Sequence, residues 1–132
     1  MLATILAVVV LTAPTAPADD PFVGTWTNLD TKTDGFTRLV ITEKDGSYTL
    51  RGWGAAAGGE IDQGKTTLHL LADSIRGTTN KYGFATWEHK HATSHLTLYA
   101  ADGGLSAECF TIFKDGSARS NYKVKYEFQK AK

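Results

Sequence analysis

The sequence predicts an all-β domain: a single antiparallel up-and-down meander of about eight strands, closed into a barrel. Three observations support this fold class. Apolar and polar residues alternate through most of the chain, short turn signals separate the alternating runs, and no stretch shows a convincing helical period. A two-sheet β-sandwich satisfies the same alternation and stays open as the alternative architecture.

The first half of the chain contains four predicted strands. A short strand at Gly24–Asn28 precedes Phe36–Lys44, which is rich in β-branched residues and ends at an Asp-Gly-Ser turn. Ser47–Trp53 resumes the alternation at once, which predicts a hairpin. Thr66–Ala72 alternates leucines with polar residues, and pairing near Glu60–Gln63 would add a further strand.

The second half contains four longer alternating runs, at Lys81–Lys90, Ser94–Ala101, Leu105–Lys114 and Arg119–Phe128. The last run is the most regular, because its Tyr, Val and Phe residues alternate with Asn, Lys and Glu. A meander of this many strands closes on itself to remove its exposed edges, which favours the barrel.

One glycine-rich stretch, Gly52–Gly64, interrupts this rhythm. It lacks the spacing and the following helix of a phosphate-binding loop. We expect a mobile loop over one end of the barrel, with Trp53 near the mouth of any cavity.

The N-terminus has the layout of a secretory signal peptide. Residues 2–11 are apolar and uncharged, and Ala16 and Ala18 supply the small residues that precede a cleavage site. No Lys or Arg follows Met1, and an apolar N-terminal strand or helix of the fold is the alternative. The predicted organisation is a signal peptide at residues 1–18 and a β-barrel domain at residues 19–132, which is secreted or periplasmic.

Composition excludes several classes of partner. The 14 basic and 14 acidic side chains are scattered singly, so no basic stripe favours nucleic acid and no long apolar segment favours membrane insertion. The single cysteine, Cys109, cannot form an internal disulfide, and we expect a buried, inert thiol.

The run Gly24-Thr25-Trp26-Thr27-Asn28 resembles the opening of lipocalin-like barrels, and of the avidin family in particular. Tyr48 follows Asn28 at the distance of a pocket tyrosine in that family, and Gly83–Trp87 is similar to a Gly- and Trp-containing strand. The resemblance implies a barrel with a cup-like interior. The chain also resembles small exported bacterial barrels.

The match to avidins is incomplete in the pocket. Lys32 and Leu50 stand where that family has small polar residues, and the last strand carries no Asp. The resemblance therefore supports the barrel and its cup, but not biotin as the ligand.

The leading functional hypothesis is a non-enzymatic barrel that binds a small apolar or amphipathic ligand. Asn28 and Tyr48 are expected as polar anchors, and Trp53 and Trp87 as apolar walls. Catalysis has little support, since no serine lies in a nucleophile elbow and no strand offers an obvious acid–base carboxylate pair. No cofactor is predicted, and the oligomeric state is left open.

Two alternatives remain. The first is a protein-interaction or inhibitor module that acts through the loops of a filled barrel. The second is metal binding by His89, His91 and His95, which flank a predicted hairpin turn and could hold Zn²⁺ or Cu²⁺ if their rings converge.

Overall fold

The computed structural model describes residues 20–132, in which strands supply all the regular structure. The eight strands are β1 Gly24–Asn28, β2 Phe36–Lys44, β3 Ser47–Ala56, β4 Gly59–Ala72, β5 Asn80–Glu88, β6 Ala92–Ala101, β7 Gly104–Phe113 and β8 Tyr122–Lys130. Each pairs antiparallel with the next, and β8 pairs with β1 to close the barrel. The predicted fold class is confirmed, and the sandwich alternative is wrong.

Two further points concern the predicted signal peptide and membrane-spanning helices. The predicted signal peptide, residues 1–18, lies outside the described residues. Within residues 20–132, no helix has the length and hydropathy needed to cross a bilayer.

Strand alternation decides which side chains fill the barrel. On β8, Tyr126 and Phe128 are buried inside, while Lys125 and Glu127 point to solvent. The same period of two residues recurs on β5 to β7, where every second residue is buried.

Consecutive connections lie at opposite ends of an up-and-down barrel. We call the mouth the end that carries the connections 29–35, 57–58, 89–91 and 114–121. We call the floor the opposite end, with connections 45–46, 73–79 and 102–103 and the N-terminal segment 20–23.

The largest enclosed side chains fill the floor half of the interior. Phe22 and Trp26 are 0% and 1% exposed, so the first residues of the described chain seal the barrel. They belong to one apolar cluster with Leu39, Ile41, Leu50, Leu68, Leu98, Leu105 and Phe128. The Trp at the start of β1 therefore closes the floor.

The prediction of a mobile loop at Gly52–Gly64 is wrong. β3 continues to Ala56 and β4 begins at Gly59, and the ladder between them runs through Ala55 paired with Glu60. Gly58, with a φ of 85°, forms the turn. The strands of this segment cannot be recognised from alternation because glycine and alanine show no apolar pattern, although the segment pairs as a ladder with one register shift between Gly52 and Trp53.

Candidate functional site

A pocket of about 160 Å³ opens at the mouth. Its lining comes from six strands and from the connections 29–35 and 89–91, and it mixes aromatic with polar side chains. The lining residues are Asp34, Gly35, Phe36, Gly54, Ala55, Gln63, His89, Ser94, Cys109, Thr111, Tyr122 and Tyr126.

Strand register brings the deepest polar groups together. Ser94 on β6 pairs with Thr111 on β7, and Thr111 pairs with Tyr122 on β8. Ser94 and Thr111 point inward and are only 9% and 7% exposed, whereas Tyr122 stands at the open rim. The three neighbouring strands thus direct a row of hydroxyl-bearing side chains from the interior to solvent.

The loop between β1 and β2 is fixed by Asn28. The Asn28 side-chain amide donates to the carbonyl of Phe36 at 2.8 Å, and its oxygen accepts from the backbone N–H of Asp30 at 2.8 Å. The Ala55 N–H donates to the Gly35 carbonyl at 2.9 Å, which ties the loop to β3. These bonds hold Phe36 and Asp34 at the pocket without placing Asn28 in its lining.

Gly35 allows close contact between that loop and β8. A Cβ at this position would overlap the Tyr126 hydroxyl. Burial raises the pKa of Tyr126 to about 12, so its hydroxyl stays protonated over the physiological range. The pocket therefore has a fixed phenol beside the ring of Phe36, with ring centroids 5.8 Å apart.

Several polar groups at the pocket have unused hydrogen-bonding capacity. The side chains of Asp34, Gln63, His89, Ser94 and Tyr122 take part in no side-chain hydrogen bond formed within residues 20–132. No fully enclosed side-chain nitrogen or oxygen in this part of the chain lacks a partner. The free groups are therefore accessible from the pocket or its rim, where a ligand or solvent can satisfy them.

Tyr48 lies at the floor, away from this pocket. Its hydroxyl donates to the Asp20 carboxylate at 2.5 Å, and the other Asp20 oxygen accepts from the N–H of Phe22 at 2.8 Å. The hydrogen bond to Asp20, followed by burial, raises the pKa of Tyr48 to about 12. The Trp26 indole donates to the Phe22 carbonyl at 2.8 Å, which completes the closure of the floor.

The two tryptophans expected as apolar walls lie on opposite faces of the sheet. Trp53 points outward, with the Arg38 guanidinium 3.8 Å from its ring centroid and that of Arg51 at 5.2 Å. Trp87 points inward, donates to the Gly64 carbonyl at 3.2 Å and packs against Phe36 at 5.3 Å between ring centroids. None of the four predicted ligand contacts lines this pocket, although Asn28 bonds to the carbonyl of Phe36 and Trp87 packs against its ring.

The three histidines do not converge. His89 lines the pocket. His91 Nδ1 lies 3.5 Å from Oδ2 of Asp115, in the loop before β8. His95 is on the outer face of the barrel. The Thr86 hydroxyl and His95 Nδ1 are 3.0 Å apart, and the imidazole stacks on Phe84. Within residues 20–132, no three His, Cys, Asp or Glu side chains are placed to share a metal ion.

Residues 89–91 explain this divergence. They form the turn between β5 and β6, so the strand rule that puts residues two apart on the same face does not apply to His89 and His91. The metal-binding alternative therefore has no geometric support in the described residues.

Cys109 is free and buried at the base of the pocket, and burial raises the pKa of its thiol. The expectation of a buried thiol is confirmed.

Most of the pocket residues could not be identified from sequence motifs. Ser94, Thr111 and Tyr126 belong to no signature, but they share strand parity with the apolar residues Leu96, Cys109 and Phe128. Inward polar residues near one end of strands are the signal that could have identified them.

No protein-family model, no curated protein and no solved structure is significantly similar to the chain. The eight-stranded barrel is consistent with a lipocalin- or avidin-like architecture at the level of fold.

Proposed function

We propose that the protein is a secreted, non-enzymatic barrel that binds a small amphipathic ligand in the mouth pocket. The observation that carries this proposal is the group of free polar side chains around an aromatic-lined pocket, above a fully packed floor. Binding sites combine apolar walls with a few convergent polar groups, and this pocket has both.

The size of the pocket limits the ligand. Its volume of about 160 Å³ lies below the roughly 300–1,000 Å³ of pockets that take drug-sized molecules. The ligand is therefore a compact molecule with one ring or a short chain, and its polar end reaches Ser94 or the rim.

Secretion is supported by the apolar run at residues 2–11 and the small residues Ala16 and Ala18. Asp19 would then be the first residue of the exported protein, immediately before the Asp20 carboxylate that anchors the floor.

A binding role is favoured over catalysis by the arrangement of Ser94 and His89. Both line the pocket, but no hydrogen bond joins them, so the serine is not paired with a base. We expect hydrolysis of p-nitrophenyl acetate by the protein to be no faster than hydrolysis by a Ser94→Ala variant. A Ser94-dependent rate would contradict the non-enzymatic part of the proposal.

Native mass spectrometry of the exported protein tests ligand binding. We expect the mass of residues 19–132 plus an additional mass that is lost on denaturation. Ser94→Ala removes a pocket hydroxyl and is expected to reduce the occupied fraction. Thr93→Ala, the outward-facing neighbour that bonds to Glu88, is the matched control and is expected to retain it.

If the wild-type protein and both variants show only the mass of the polypeptide, with no additional mass, the result would count against ligand binding. It would favour a second candidate function, protein interaction, which the outer face supports. Tyr82 and Tyr99 stack there with ring centroids 5.4 Å apart, and Leu71, which pairs with Tyr82, is 46% exposed. An exposed apolar group on the sheet of a soluble protein is typical of an association surface.

Sedimentation velocity over a range of concentrations distinguishes the two candidates. If the outer face associates, Tyr99→Ser reduces the sedimentation coefficient at high concentration, and Ser94→Ala leaves it unchanged. A monomer at all concentrations would remove self-association through this face.

A further inference from the structure

The mouth pocket has an asymmetric set of charges. Asp34 is its only carboxylate, and its lining contains no Lys or Arg. Two cations of the neighbouring loop already have acidic partners: Lys114 lies 2.9 Å from Glu88, and Arg119 lies 2.7 Å from Asp115. Asp34 forms no ion pair within residues 20–132, so its charge is available to a ligand.

The side-chain hydrogen-bonding groups of the pocket lining can all accept a hydrogen bond from a ligand. The donor-only Trp87 indole is occupied by the Gly64 carbonyl. The remaining side-chain groups are an acceptor-only carboxylate at Asp34 and hydroxyl, amide and imidazole groups that can accept. Ser94 is the most informative of these, because it is 9% exposed, faces the pocket and has no partner in the described residues.

Aromatic groups complete the pocket. Phe36 and Tyr126 form one wall and Tyr122 stands at the rim. Aromatic rings attract cations through their quadrupole, and a carboxylate beside them adds direct charge attraction. An anionic ligand would meet Asp34 with no Lys or Arg in the pocket lining to offset the repulsion, since Lys32 and Lys125 lie with Asp34 on the neighbouring surface outside the pocket.

We propose, on the basis of the proposed function, that the pocket selects a small organic cation, a protonated amine attached to a compact apolar body. The ammonium group lies between Asp34 and the hydroxyl oxygens, where its N–H groups find acceptors. The apolar body packs against Phe36 and Tyr126. Selectivity comes from the charge at Asp34, whereas the ring contacts supply affinity common to charged and neutral ligands.

A matched series of probes tests this inference. Benzylamine, benzyl alcohol and benzoate share one ring and differ in charge, and isothermal titration calorimetry at pH 8 and low salt measures their binding. We expect benzylamine to bind at least about fivefold more tightly than benzyl alcohol, and benzoate to bind most weakly. The preference for benzylamine should decrease in 0.5 M NaCl, because salt screens exposed charges.

Two variants locate the source of the preference. Asp34→Asn is expected to equalise benzylamine and benzyl alcohol to within about twofold, since the carboxylate charge is lost. Asp30→Asn is the matched control: it removes one charge from the same loop outside the pocket, and Asn can still accept from the Lys32 N–H. The control should keep the preference for benzylamine.

The outcomes separate this inference from the proposed function. Tightest binding of benzyl alcohol or benzoate, or an unchanged preference in Asp34→Asn, would overturn the cation proposal and leave ligand binding intact. Absence of binding for all three probes, together with a bare native mass, would overturn both.

Discussion

Asp20 at the floor of the barrel and Asp34 at its mouth differ in whether their carboxylates accept hydrogen bonds within residues 20–132. At the floor, the Asp20 carboxylate accepts bonds from Tyr48 and Phe22, and the Trp26 indole is bonded to a carbonyl. At the mouth, Asp34 and Ser94 have no such partners in the described residues.

The difference shows which polar groups are paired within the protein, where they add to stability, and which are left free for a ligand or solvent. Buried polar groups lower stability when they lack partners, so a fold keeps unpaired ones mainly where a ligand or solvent can pair with them. The floor is therefore a structural closure, and the mouth is the end to which we assign the proposed binding. Four predictions test this contrast, in order of decreasing effect on stability.

The largest effect is expected at the floor. Trp26→Ala should lower the free energy of unfolding by about 3–5 kcal/mol, because it removes a large enclosed ring from the cluster around Phe22. Tyr122→Ala at the mouth should cost less than about 1 kcal/mol, since its ring is about half exposed. Urea denaturation measures both, and equal losses would contradict the division between the two ends.

An intermediate effect is expected where the mouth is closely packed. Gly35→Ala should lower the free energy of unfolding by about 1–3 kcal/mol, because the new Cβ overlaps the Tyr126 hydroxyl. Tyr126→Phe in the same chain removes that hydroxyl and should restore part of the loss. A double variant no more stable than Gly35→Ala alone would show that the overlap is not the cause.

A smaller, pH-dependent effect is expected from the hydrogen bond between Tyr48 and Asp20. The pKa of Tyr48 is raised from 10.0 to about 12, so its contribution is complete below pH 10 and is lost as the pH rises through 12. The stability difference between the wild-type protein and Tyr48→Phe should therefore shrink over this interval. Tyr126 also has a raised pKa, but it is present in both proteins and cancels. A difference that stays constant from pH 9 to pH 12 would exclude the bond as its source.

The smallest effect on stability is expected at Ser94. Ser94→Ala removes a hydroxyl that has no partner in the described residues, so the free energy of unfolding should change by less than about 0.5 kcal/mol. Binding of benzylamine should weaken all the same. A large loss of stability with unchanged binding would make Ser94 a structural residue.

The sequence predicted the sheet better than it predicted the site. Alternation located β1 and β2 with the observed bounds, Gly24–Asn28 and Phe36–Lys44. It missed the tip of the β3–β4 hairpin, because a run of Gly and Ala has no alternation to detect.

The site was harder to predict because alternation shows which face of the sheet a side chain lies on, but not which end of the barrel it is near. Trp53 shares strand parity with Arg51, so the sequence already contained the signal that it points outward. The predicted meander already implied that Asn28 and Tyr48 lie at opposite ends of the barrel, because Asn28 ends β1 and Tyr48 lies at the start of β3, one connection further on. His89 and His91 lie in the connection 89–91 and not on a strand, so the alternation of strand side chains does not give their directions.

The most direct test of the functional division is a map of amide shifts in ¹⁵N-labelled protein, residues 19–132, on titration with benzylamine. We predict that the amide signals of Gly35, Gln63, Ser94 and Thr111 shift, and that those of Tyr48 and Ala101 on the floor do not. Shifts centred on the floor, or on the outer face at Tyr82 and Tyr99, would contradict the assignment of the mouth as the functional end.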